Sequence, residues 1–181
     1  DIMVEHYAQR ASSGLLIESN GGPPVHPYAP DGNGKESPNN VHRRSVYSYW
    51  KRTKPQANMT IFDKPSLEVC SVKRSRTNSP SAALVLLNDR HFVEAARKLA
   101  TTSILEKTEL DDRINLAWLR ATSLQPTKDE LRILKEIFTD SHADFTANPA
   151  EADKLLKVGV TPHPKELDPI ETAALTVVCQ A

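Results

Sequence analysis

Residues 18–40 read ESNGGPPVHPYAPDGNGKESPNN, and no other stretch restricts the fold as strongly. Proline fixes φ near −65° and removes an amide donor, while glycine and asparagine admit left-handed backbone. Such a stretch builds turns and extended chain and excludes a long helix or strand. The prolines at 23, 24, 27 and 30 suit polyproline-like conformation, with Val25 and Tyr28 free to pack inward.

The signals reverse at Ser79. Its hydroxyl can accept from the open amides of a first helical turn, and Pro80 at the first helical position gives up no hydrogen bond. SAALVLLN, apolar all round, is expected to be a helix buried on every side. Asp89 is expected to cap RHFVEAARKLATTSILEK, with Phe92, Ala95, Ala96 and Leu99 on one face. DDRINLAWLRATS places Ile114, Ala117, Trp118 and Ala121 on its inner stripe, and its first acidic residues suit the positive end of the helix dipole. TKDE at 127–130 spells a capping box for a helix through Leu131, Leu134, Phe138 and Phe145. Asn148-Pro149 and Asp168-Pro169 open two more.

Before Ser79 the expectations are thinner. DIMVEHYAQRASSGLL reads as a helix. RRSVYSYWKRT reads as a short helix ending near Pro55, with Val46, Tyr49 and Trp50 at helical spacing. MTIFDK and LEVCSVK are brief and β-prone and fit either a small β-hairpin or plain extended chain. The expected fold class is therefore mainly α, a helical bundle-like domain with a long Pro/Gly-rich irregular N-terminal half. A single domain over 1–181 is expected, with an irregular wrap at 1–78 and a helical part at 79–181. The abrupt, helical ends suggest a C-terminal piece of a larger protein.

Twenty-three basic and 23 acidic residues balance, yet their placement is uneven. Residues 1–40 carry −3, residues 41–76 carry +7 and residues 77–181 carry −4. Internal compensation of the basic middle is expected, which weighs against nucleic-acid binding. No apolar run approaches the ~20 residues of a membrane span. Two cysteines, Cys70 and Cys179, are too few for a disulfide framework and lack metal spacing, though one bridge is open to them.

The order of GGPPVHPYAP, RRSVYSYWKRT, MTIFDKPSLEVC, RSRTNSP and ALVLLNDRHFVEAARKLA resembles the planctomycete-type domain of unknown function called the PSD domain. The resemblance runs from Ser13 to the final helix. Family-like positions include Gly21, Gly22, Tyr28, Arg43, Arg44, Tyr47 and Trp50. They continue with Arg52, Phe62, Asp63, Pro65, Cys70, Arg74, Arg76, Asn78, Pro80, Asn88 and Asp89. Ser81 and Ala82 depart from the family's Leu-Gln, and the span from Tyr28 to Arg43 is short and has no tryptophan. The resemblance implies an exported, periplasmic setting in a multidomain bacterial protein whose upstream modules are often cytochrome-c-like. Haem c would belong to such an upstream domain, because this segment has no CxxCH. It implies no activity.

Arg43, Arg44, Arg52, Arg74 and Arg76, with Asn78 and Asp63, form the candidate cluster. A fork of arginines before a helix N-terminus could hold an anion. The plainer reading has Arg74 and Arg76 pinning the irregular half to the helical part by pairing with Asp63, Glu68, Asp89 or Glu94. Cys70 as a nucleophile, His91 or His142 as zinc ligands and DGNGKESPNNVH as a calcium loop all lack the partners such sites need. Asn58-Met59-Thr60 matches a glycosylation acceptor by pattern alone. The leading expectation is a non-catalytic structural or interaction module whose partners are other domains of the same polypeptide. The alternative is part of a hydrolase or redox system on an anionic polysaccharide, with the arginines as its anion site.

Overall fold

The computed structural model describes residues 8, 10–27, 38–66, 68–73, 77 and 79–181. Its described helices are α1 (Pro38–Val41), α2 (Ala57–Ile61), α3 (Pro80–Asn88), α4 (Arg90–Glu106) and α5 (Leu110–Thr122). They continue with α6 (Lys128–Ala147), α7 (Pro149–Leu156) and α8 (Pro169–Gln180). A single 3-10 turn lies at Ser45–Tyr47. The protein is mainly helical, as the pattern of caps and apolar periodicity predicts. No described helix is long and apolar enough to cross a membrane. The chain divides into two compact units, Leu16–Asp89 and a second made of Ala8–Leu15 with Arg90–Ala181.

The first unit is held by backbone pairing between irregular segments. Residues 17–25 run parallel to residues 43–48, touching at two isolated bridges, Ile17 with Arg43 and Val25 with Ser48. The Val25 amide donates to the Tyr47 carbonyl at 2.9 Å, and the Tyr49 amide donates to the Val25 carbonyl at 2.8 Å. Val25 is buried, as its place among prolines suggests. Tyr28 lies outside the described residues, as do residues 1–7 of the expected first helix.

Three expectations fail in this unit. MTIFDK is neither strand nor plain extended chain, because Met59–Ile61 belong to α2; LEVCSVK contributes no strand among its described residues, which leaves it the non-hairpin alternative. RRSVYSYWKRT yields only the 3-10 turn, since the bridge at Ser48 commits the chain to extended pairing, and Val46 and Tyr49 are exposed. Helix α3 has the predicted Ser79 cap, whose Oγ accepts from the Ala82 amide at 3.2 Å, but it buries no residue. Leu84, Leu86 and Leu87 stand exposed. A helix apolar on every side has no polar stripe to select an orientation, so all-round apolarity does not by itself imply all-round burial.

Helix α2 ends in a Schellman motif. The Lys64 amide donates to the Met59 carbonyl and the Asp63 amide to the Thr60 carbonyl, with Asp63 left-handed at φ 56°. Aspartate tolerates that conformation better than a branched residue would.

The second unit packs α8 against α4, α6, α7 and α5. Ala100, Ile114, Leu134, Leu175 and Val178 make its buried centre. Thr172 and Thr176 are fully buried within α8, and their hydroxyls donate to the carbonyls one turn earlier, at Asp168 and Thr172. On α4, Phe92, Ala95, Ala96 and Leu99 are buried as expected. On α5 the inner stripe is shorter than expected: Ile114 and Ala117 are buried, Trp118 is half-buried and Ala121 is exposed. The capping box of α6 is complete, with Thr127 Oγ1 accepting from the Glu130 amide and Glu130 Oε2 accepting from the Thr127 amide. The Thr127 amide and the Thr127 hydroxyl both donate to Glu130 Oε2, and these bonds to the ionised form hold the Glu130 carboxyl below its usual range.

Candidate functional site

The loop before Pro23 turns at Gly21 and Gly22, whose φ values of 76° and 87° are left-handed. A side chain at either position would be strained. This turn aims three main-chain carbonyls at one guanidinium. Arg43 Nη2 donates to the Ser19 carbonyl at 3.1 Å and to the Gly21 carbonyl, and Nη1 donates to the Pro23 carbonyl at 3.2 Å. The guanidinium carbon lies 4.2 Å from the centroid of the Tyr47 ring, and the Tyr47 hydroxyl accepts from the Gly21 amide at 3.0 Å. Arg43 is only 7% exposed. A planar fork can satisfy several carbonyls at fixed angles where an ammonium cannot, so the site uses arginine chemistry specifically.

Other described members of the cluster make contacts of their own. Arg44 Nη2 sits 3.0 Å from Glu18 Oε1 in an exposed pair. Arg52 is exposed in the turn after Lys51. Asp63 Oδ2 accepts from both the amide and the hydroxyl of Thr77, at 2.7 and 2.5 Å, fastening the chain after the basic run to the end of α2. Arg74, Arg76 and Asn78 lie outside the described residues. Lys64, adjacent to Asp63, places its ammonium 4.0 Å from the Trp50 ring centroid.

Asn58 is buried and its side-chain oxygen accepts from the Met59 amide at 2.7 Å, so the glycosylation pattern falls on a residue inside α2 with no room for a glycan. Both cysteines are free thiols, Cys70 exposed and Cys179 packed against the core of the second unit. Burial pushes the Cys179 thiol up to about 12, which keeps it protonated and unreactive at neutral pH. A shallow concavity along α6 is lined by Lys128, Leu131, Arg132, Lys135, Glu136 and Asp140. Two of its cations are paired, Lys135 with Asp111 at 2.6 Å and Arg132 with Glu136 at 2.8 Å.

The second unit contains a buried charged cluster that local sequence patterns do not announce. Glu94 is fully buried, and its Oε1 accepts from the amides of Val160 at 3.0 Å and Thr161 at 2.7 Å. Arg97, 2% exposed, donates through Nη2 to the Thr161 carbonyl at 2.5 Å and lies 3.9 Å from Glu94 Oε1. Together they hold the loop between α7 and α8. Glu94 is thereby tied to this loop. Its role is invisible in the sequence because the loop groups it binds are main-chain amides, which every residue but proline carries.

No curated protein and no solved structure matches the chain. A family model, PSD1, described as a protein of unknown function (DUF1553), matches residues 8–138. That span takes in the Gly21–Gly22 turn, Arg43, Tyr47, Asp63, the basic run and helices α3 to α5. The chain belongs to the PSD1 family, whose function is unknown.

Proposed function

We propose that the chain is a non-catalytic structural or interaction module of an exported multidomain protein, with other domains of the same polypeptide as its partners. Haem c, where such a protein carries it, belongs to an upstream domain. The observation that supports this reading is the direction of Arg43. A buried guanidinium, the group best suited to gripping an anionic substrate, is turned onto Ser19, Gly21 and Pro23 of its own chain. Asp63 likewise engages Thr77.

Two measurements test it together. Arg43→Ala removes charge-assisted hydrogen bonds worth roughly 1.5–3 kcal/mol each, offset partly by relaxation, so a net loss of about 3 kcal/mol is expected. For a chain of this size that corresponds to a melting temperature lower by roughly 6–12 °C. Arg43→Lys should recover only part of it, because an ammonium cannot span the three carbonyls. The unaltered chain should pass through a dextran sulfate column without retention at about 0.15 M salt, where exposed charges are largely screened. Retention that Arg44→Ala with Arg52→Ala abolishes, alongside an unchanged melting temperature for Arg43→Ala, would overturn the proposal in favour of an anionic-polysaccharide site.

A further inference from the structure

The loop joining α7 to α8 is tied at Val160 and Thr161 to Glu94 and Arg97, and its next titratable residue is His163. His163 sits between Pro162 and Pro164. Proline on both sides narrows the backbone choices at His163 and so fixes the direction in which its Cβ leaves the loop. Both ring nitrogens are buried, and neither meets a hydrogen-bond partner among the described residues. A neutral ring tolerates this at a modest cost, but an imidazolium has two donors and a charge to satisfy.

The charged group that bears on His163 from α4 is Arg97, of the same sign as an imidazolium. Glu94, the nearest buried carboxylate on that helix, is engaged by the Val160 and Thr161 amides. His91, also buried, lies two turns back on α4. On the loop itself Lys165 and Glu166 are exposed, as is Asp168 at the start of α8, whose carboxylate accepts from the Ile170 and Glu171 amides. Burial first, and repulsion by Arg97 second, hold the His163 pKa below its ordinary value. The unfolded or released loop therefore binds the proton more tightly than the docked one. Docking is at full strength above the ordinary histidine range, near 6.5, and weakens as pH falls from there through the depressed value.

We propose that residues 157–164 form an acid-released strap: protonation of His163 beside Arg97 expels the imidazole and frees the Val160 and Thr161 amides from Glu94. Gly159 sets the strap closely on α4: at φ 96° it lies so near Glu94 that an added Cβ would sit 2.3 Å from the carboxyl carbon.

The experiment is an NMR titration of the 181-residue chain from about pH 7.5 to about pH 5, the range in which histidine changes charge. The His163 ring should titrate below 6.5. Over the same interval, exchange protection at Val160 and Thr161, corrected for intrinsic rates, should fall by about tenfold for each unit of pKa depression, while that of Leu175 in the core holds. In His163→Gln and His163→Phe, which carry no titrating ring, Val160 and Thr161 protection should not depend on pH in this range. The titration of the unaltered chain stands without either variant. A His163 midpoint at or above 6.5, flat protection at the two amides, or the same pH dependence in the variants overturns the proposal.

Discussion

Gly159 illustrates how one residue can be fixed by a side chain far away in sequence. Two independent barriers oppose alanine there: a left-handed φ of 96°, and the Glu94 carboxyl occupying the space a methyl group would need. Glu94 cannot step aside without abandoning two amides and Arg97. Gly159→Ala is expected to destabilise the protein by about 2–5 kcal/mol, as overpacking and backbone strain add. Urea unfolding monitored by circular dichroism would read this as a lower midpoint at an unchanged slope; a midpoint equal to that of the unaltered chain would sink it. Little of this was legible beforehand. A lone glycine in VGVTP signals a turn, but its close partner is set by tertiary packing. Arg43 is similar: the sequence marks it as one of several arginines, and only the path of the Gly21–Gly22 turn singles it out.

At the level of elements, the starts of helices were the most readable feature because a cap is a local contract. Ser79, Thr127 and Asp168 each accept from amides within the next three residues, and sequence spacing alone identifies such partners. Amphipathic helices were equally readable, since α4 and α6 carry their apolar residues at helical period. What failed were elements whose state depends on a distant partner. Ser48 pairs with Val25, and beyond that bridge the remainder of RRSVYSYWKRT is irregular chain and a turn, with no helix. Helix α3 failed in another way: composition established that it is apolar, but gave no information about what covers it. With its side chain 62% exposed, Leu84 contributes little to folding. Leu84→Lys is expected to change stability by no more than about 0.5 kcal/mol, the usual range for exposed positions. A thermal or urea melt showing a loss of several times that amount would mean that the leucine is packed in solution.

For the whole molecule the governing quantity is charge. The chain is neutral at pH 7 with a sequence pI near 7.2, so no long-range self-repulsion keeps copies apart at that pH. Solubility of the 181-residue chain should pass through a minimum close to neutrality and rise on either side. Light scattering across a pH series would check this, and a minimum displaced by two units or more would contradict it. Neutrality was legible in composition. That Arg43 turns toward backbone was not, because counting charges says nothing of direction. The fork of Arg43 donates to three carbonyl oxygens, and those are common to all residues. The lock therefore recognises the curve of the chain and is blind to the letters that spell it. Ser19 and Pro23 could be rewritten freely so long as the bend survives, whereas the key, and the two hinge positions without side chains, have no synonyms.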